Sequence, residues 1–222
     1  MLELDHVFVC VSEELNIVNT LTDFGLNLSA RQIHQGQGTA NRCAFFNNAY
    51  LELLLHNNNQ ELQSRAVQAI SLGERMQWKK TKASPFGVAF RFEKDTEQNI
   101  PMKTWSYDAP FLPDGVTIPI ITPLNSIQEP LLFLSLMTKP PIERKSVHCS
   151  ALEHRGNKRL LTQVKITTSS DQKLSKQLQW FCDRDLVSIA QGAEHHAELE
   201  WDNGKERQIF DFRPILPLSI RY

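Results

Sequence analysis

Leu4-Asp5-His6-Val7-Phe8-Val9 and Tyr50-Leu51-Glu52-Leu53-Leu54 are the stretches whose reading decides the fold. Each places apolar residues at every second position among β-branched and aromatic neighbours, the pattern of a half-buried strand. Between them, Glu13 and Glu14 suit the positive end of a helix that Ser12 can cap. Leu15, Val18, Leu21 and Phe24 recur at helical spacing, and Gly25 ends the helix. Strands are expected near 27–33, 41–47 and 49–56, the last two joined by Asn47-Asn48, a pair that tolerates a tight turn. Residues 1–56 therefore read as one complete βαβββ unit.

Working outward, Asn57-Asn58-Asn59 interrupts the pattern, and 57–84 reads as a helical connector. Its helix spans 60–79 with Leu62, Ala66, Ile70 and Met76 on one face, and Gly73 weakens the middle. A second unit over 85–137 opens with the strand Phe86-Gly87-Val88-Ala89-Phe90-Arg91-Phe92, then turns loop-rich, with short strands near 116–121 and 130–136. It has no clear helix and reads as a degenerate copy. A linker over 138–157 leads to a third, βαβββ-like unit over 158–222. There Leu161-Thr162-Gln163-Val164-Lys165-Ile166 lines up with residues 4–9, and Ser170-Asp171 opens a helix carrying Leu174, Leu178 and Phe181. Strands are expected near 185–190, 195–202 and 207–213, with Asp202-Asn203-Gly204 turning the last pair. Gln163 and Asp211 are 48 residues apart and His6 and Glu52 are 46 apart, a weak sign of an internal repeat. The fold class expected is α+β.

At 222 residues the chain can bury a sizeable core, and a net charge of −1 disfavours a dedicated nucleic-acid partner. The one basic run, Lys79-Lys80-Thr81-Lys82, reads as a solvated helix end. No apolar window is long enough for a membrane span, and no basic-then-apolar leader opens the chain. Cys10, Cys43, Cys149 and Cys182 form no CxxC pair and read as reduced thiols of a cytoplasmic protein. No GxSxG or other nucleophile motif is present.

Chemistry-bearing residues gather in the first unit. Alternation turns His6 away from Val7 and Val9, and Glu52 away from Leu51 and Leu53. An imidazole and a carboxylate on one concave face make a fair half-site for Zn, Ni, Mn or Fe(II), which would need further ligands. The turn Gly36-Gln37-Gly38-Thr39-Ala40-Asn41 allows close backbone approach. Thr39 and Asn41 can either hold that turn or, with His34, line a pocket rim. The turn joins two strands and lacks GK[ST], so no nucleotide cofactor is expected. Trp105, Tyr107 and Phe111 could wall an apolar pocket or pack a core. His195-His196 sits on a strand whose successive side chains diverge, so it reads as filler.

The Gly38-Thr39-Ala40-Asn41 and Tyr50-Leu51-Glu52-Leu53-Leu54 segments resemble the "GTAN…YLELL" signature of glyoxalase-like members of the vicinal oxygen chelate superfamily. His154-Arg155-Gly156-Asn157 is similar to the "HPNG" stretch of such proteins, with Arg for Pro and the last two residues exchanged. The resemblance implies repeated βαβββ modules whose mixed or antiparallel sheets curl around a central cleft. It also implies a divalent metal held by His6 and Glu52 and completed from a second module. The second unit offers only Gly87 and Phe133 at the matching places, so the third would supply Gln163 and Asp211. Two functions are implied. One is a metal-dependent lyase or isomerase acting on a small oxygenated metabolite; the other is a metal-free protein that binds or sequesters a small molecule. A ring-cleaving dioxygenase is disfavoured because position 163 is Gln and position 87 is Gly. Dimers are common in the superfamily, so a homodimer is one implied arrangement.

Overall fold

The computed structural model describes every residue except 12, 94, 95, 97, 98, 124–126 and 171. Among the described residues, eight strands form one sheet and five form a second. In the first sheet, β1 (Leu2–Val11) is followed by helix α1 (Glu14–Phe24), β2 (Gln32–His34), β3 (Thr39–Phe45) and β4 (Tyr50–His56). The connector carries four short helices, α2 (Asn59–Leu62), α3 (Arg65–Gln68), α4 (Leu72–Met76) and α5 (Trp78–Thr81). Then come β5 (Phe86–Phe92), β6 (Trp105–Tyr107), β7 (Ile118–Ile120) and β8 (Leu131–Leu134). The strand order β2-β3-β4-β1-β5-β8-β7-β6 reads the same from either edge: β4 runs parallel to β1, β8 runs parallel to β5, and β1 meets β5 antiparallel at the centre.

Alternation sorts the central strands into two faces. Val7, Val9 and Val11 of β1, Leu51, Leu53 and Leu55 of β4, and Val88 and Phe90 of β5 enter one large core. His6, Phe8, Glu52 and Leu54 turn to the other face. The core face is covered by Ile17 and Leu21 of α1, and by the second sheet with its helix. Expected Leu15 is instead 73% exposed. Ile17 and Leu21 stand one turn apart and bury, with Val18 and Phe24 flanking them, so the buried stripe is rotated from the one that includes Leu15. Gly25 caps α1 with φ 109° as expected, whereas the expected caps Ser12 and Asp171 lie outside the described residues.

The second half has no helix among the described residues between β5 and β8. Helix α6 (Lys176–Cys182) covers that place: Phe181 stacks on Phe90 of β5 with ring centroids 4.4 Å apart. The degenerate unit is thus completed by a helix from elsewhere in the chain.

The third unit differs from expectation. Its sheet contains β9 (Leu161–Thr168), β10 (Ser188–Gln191), β11 (His196–Trp201), β12 (Ile209–Asp211) and β13 (Leu218–Arg221), in the order β10-β9-β11-β13-β12. The first strand pairs in parallel with the strand just after the helix, and the last strand pairs with β11 and β12. In the first unit the opening strand pairs with the closing one. The 158–222 segment is therefore not a third βαβββ copy, and aligning Gln163 with His6 or Asp211 with Glu52 has no topological basis.

The expected single helix over 60–79 is also corrected. Ser71 adopts φ 52°, which ends one helical run and starts another. Leu62, Val67, Ile70, Leu72 and Met76 still bury together, against Phe8, Leu54, Tyr107 and Leu131. No helix among the described residues is long and apolar enough to cross a membrane.

Candidate functional site

The face of the large sheet opposite the main core forms a pocket of about 340 Å³. Such a volume sits at the small end of small-molecule sites. Its walls come from both halves of the sheet: His6, Tyr50, Glu52 and Leu54 on one side, Tyr107, Ile120, Leu131 and Phe133 on the other. Ile70 and Leu72 of the connector, and Phe111 with Leu112, add to the lining.

The polar groups converge at one end. A register shift in β1 between Leu4 and His6 releases Asp5 from strict alternation, so its side chain reaches its neighbour's ring. The His6 Nδ1–H donates to Asp5 Oδ2 at 2.9 Å, and the ring stacks on Tyr50 with centroids 4.4 Å apart. Asp5 is fully buried, and Arg91 approaches its Oδ1 at 3.5 Å. Arg144, from the linker, pairs with the same oxygen. Burial alone would raise the Asp5 carboxyl, but the hydrogen bond and charge of His6, with Arg144, bring it below the usual range. His6 Nε2 then faces Glu52 Oε2 at 3.6 Å.

Glu52 is steadied from the neighbouring strand, where the Asn41 amide donates to Oε1 at 2.8 Å. His34 approaches the same oxygen through Nε2 at 4.0 Å, and its ring stacks on Phe111 with centroids 4.7 Å apart. Burial holds the His34 imidazole below the ordinary histidine range, with Glu52 opposing. Burial also pushes the Tyr50 hydroxyl well above its usual range, so it stays protonated. Thr39 does not line the pocket; it is fully buried and bonded to His34 and Gln37. Gly38 is required twice over: its φ is 77°, and a Cβ there would lie 2.5 Å from the Asn58 carbonyl oxygen. The glycine turn therefore docks on the start of the connector, and Asn57 and Asn58 donate their amides to the Gly38 carbonyl.

Among the described residues, the other half of the pocket adds no His, Cys, Asp or Glu to the lining. Beside His6 and Glu52, the inner strand β5 presents Gly87 and Ala89, paired with Leu131 and Phe133 of β8. Gln163 lies on β9 of the second sheet, exposed, on the side opposite its core-facing neighbours Val164 and Ile166. Asp211 is exposed on the edge strand β12 and carries a bidentate pairing with Arg213, which holds its carboxyl down at about 2. Neither residue lines the pocket with His6 and Glu52, so the structure does not bring the four-residue set together. Among the described residues, no group of three His, Cys, Asp or Glu side chains is disposed to hold a metal ion. The donor set present does not fit the metal that the resemblance implies.

Of the sequence-derived rim residues, His34 and Asn41 line the pocket. Trp105 instead donates its indole N–H to the Thr122 carbonyl at 3.0 Å and packs beside the wall. Tyr107 and Phe111 are wall residues. Sequence reasoning missed Tyr50, Gln37 and the 134–137 segment. Tyr50 was findable, because it stands two residues before Glu52 on the same strand face. His154 acts as a clip: the Asn27 amide donates to its Nδ1 at 3.0 Å and its Nε2 donates to the Phe45 carbonyl at 2.7 Å. His195 likewise bridges Ser169 and the Lys82 carbonyl.

A structure described as a hypothetical protein from Staphylococcus aureus matches this fold with a TM-score of 0.56 at 13% identity, covering 99% of both chains. No match to a curated protein was found. The model of the glyoxalase-like domain family matches residues 4–182, which include both halves of the large sheet and its pocket. The chain belongs to that glyoxalase-like family, within the vicinal oxygen chelate superfamily.

Proposed function

We propose that this protein binds a small, largely aromatic or apolar molecule in the pocket between the halves of its large sheet, without a metal bridging ligand and protein. One observation carries the reading: the halves are unequal. The first presents His6, Glu52, Asn41 and His34, whereas the second presents mainly Tyr107, Ile120, Leu131 and Phe133, with the small Gly87 and Ala89 at the places that match His6 and its neighbours. An apolar wall facing a compact polar cluster suits a ligand with a ring at one end and hydrogen-bonding atoms at the other. The lyase or isomerase alternative draws metal ligands from Gln163 and Asp211, which lie on the second sheet. The expected cytoplasmic setting and a homodimer are both compatible with this binding role.

The test is a ligand-observed NMR screen of small aryl compounds, repeated with chelator and again with added Zn²⁺, Ni²⁺, Mn²⁺ or Fe²⁺. Binding that resists chelator and is weakened at least tenfold by Phe133→Ala supports the reading; a loss of about 1.4 kcal/mol corresponds to that factor. Binding that appears only with a stoichiometric metal and vanishes on His6→Ala overturns it.

A further inference from the structure

A chain of hydrogen bonds runs behind the polar end of the pocket, and donor chemistry fixes its direction. The buried Tyr107 hydroxyl donates to Gln37 Oε1 at 2.9 Å. Gln37 Nε2, which can only donate, reaches Thr39 Oγ1 at 2.9 Å. Thr39 Oγ1 still has its own proton to place, its remaining partner at 2.9 Å is His34 Nδ1, and the donor-only Gln37 Nε2 also points at that Nδ1 from 3.4 Å. Nδ1 therefore accepts, and in a neutral ring the proton sits on Nε2, the atom aimed at the Glu52 carboxylate. Reversing the Gln37 amide would strand the Tyr107 proton, which has no other acceptor among the described residues. It would also point an imidazole lone pair at a carboxylate oxygen 4.0 Å away. Both penalties favour the same direction.

Resting on the ligand-binding reading above, we propose that the Tyr107–Gln37–Thr39 chain locks His34 as a fixed Nε2–H donor beside the Glu52 acceptor, so that the pocket selects neutral aryl carboxamides and lactams. These ligands carry a carbonyl acceptor and an N–H donor on one edge. The carbonyl would accept from His34 Nε2–H while the amide N–H donates to Glu52. The 4.0 Å between Nε2 and Oε1 is too long for a good direct bond and leaves each group a ligand partner to satisfy. A carboxylate ligand would bring like charge against Glu52 and offer no donor, and the site rejects it.

Two measurements test this. Long-range ¹H–¹⁵N correlation spectra of the labelled protein, assigned with His34→Gln, report the tautomer directly. A proton on Nε2 that is retained in Thr39→Ser and lost from a single state in Thr39→Val is expected. A proton on Nδ1 overturns the lock. Titration with benzamide, acetophenone and benzoate then reads the selectivity. Benzamide is expected to bind roughly tenfold tighter than acetophenone, the loss from one unmade hydrogen bond to a charged acceptor, and benzoate not at all. Equal affinity for benzamide and acetophenone overturns the amide-edge proposal and leaves the aromatic pocket standing. Absence of binding by every aryl probe overturns the pocket reading itself, and the proposal with it.

Discussion

Gly87 is glycine because Phe8 occupies the space where a side chain would stand. A Cβ there would fall 2.1 Å from Cε1 of the Phe8 ring, which lies across the central antiparallel pair of strands. The ring is thereby pressed against the sheet, leaving room above it for the pocket. Gly87→Ala should overpack this contact and cost about 1–3 kcal/mol in urea unfolding. The cost should shrink when combined with Phe8→Leu, and strictly additive losses would show that the two residues are not coupled. At this scale the sequence was most readable where strict alternation held. Residues 6 and 52 could be placed on one face from their neighbours alone. What remained hidden was who stands opposite, because facing across a sheet is a tertiary relation. Gln163 and Asp211 were reached by counting residues, and spacing does not report which sheet a strand joins.

The connector shows how an element can keep its burial pattern while losing its expected shape. Leu62, Ile70 and Met76 are buried as a single helix would place them, yet the chain breaks at Ser71 into separate turns. Arg75 explains how the broken form is held. Its guanidinium is buried, with Nη1 donating to the Ser84 and Glu129 carbonyls at 2.9 Å each and Nε to Ile70 at 3.3 Å. Burial draws its pKa down to about 10, still charged at neutral pH. A cation satisfied by loop carbonyls gives no sequence signal, since those acceptors are present at every residue. The same Glu129 accepts the Ser175 amide at 2.6 Å at the start of α6, tying the connector to the helix that covers β5. Arg75→Met should leave these carbonyls unpaired at about 1–3 kcal/mol. Amide exchange should quicken first over 65–84, ahead of the strands. Uniform acceleration across the whole chain would show that the connector has no local opening of its own.

At the scale of the molecule, strands of the large sheet were legible where apolar alternation and turn residues coincide, as in β1, β4 and β5, whereas β6 (Trp105–Tyr107) is three residues in a loop-rich stretch and gives no such signal. The C-terminal sheet was not legible, because β13 lies just beyond Pro214 and Pro217, residues that argue against a strand, and it inserts between β11 and β12 rather than following them in order. The two sheets nevertheless share one core, and buried histidines clip its loops. His154 holds the 27 and 45 segments together, and His195 joins the Lys82 carbonyl to Ser169. Burial lowers the imidazoles of His34, His154, His195 and His196 below the ordinary range. Their unfolded counterparts titrate near 6.5. Below that pH the unfolded chain binds protons that the folded chain resists, so stability falls as the solution is acidified; above it neither state gains protons and the curve flattens. Each such histidine can steepen the fall by at most about 1.4 kcal/mol per pH unit, over the interval between its folded and unfolded values. Urea midpoints should therefore be level from pH 8 to 7 and decline from pH 6.5 to 5.5. His154→Gln, which keeps a hydrogen-bonding side chain without titrating, should flatten part of that decline while costing stability at pH 7.5. A midpoint that rises on acidification, or a wild-type slope unchanged in the variant, would mean that these rings do not set the acid limb of the stability curve.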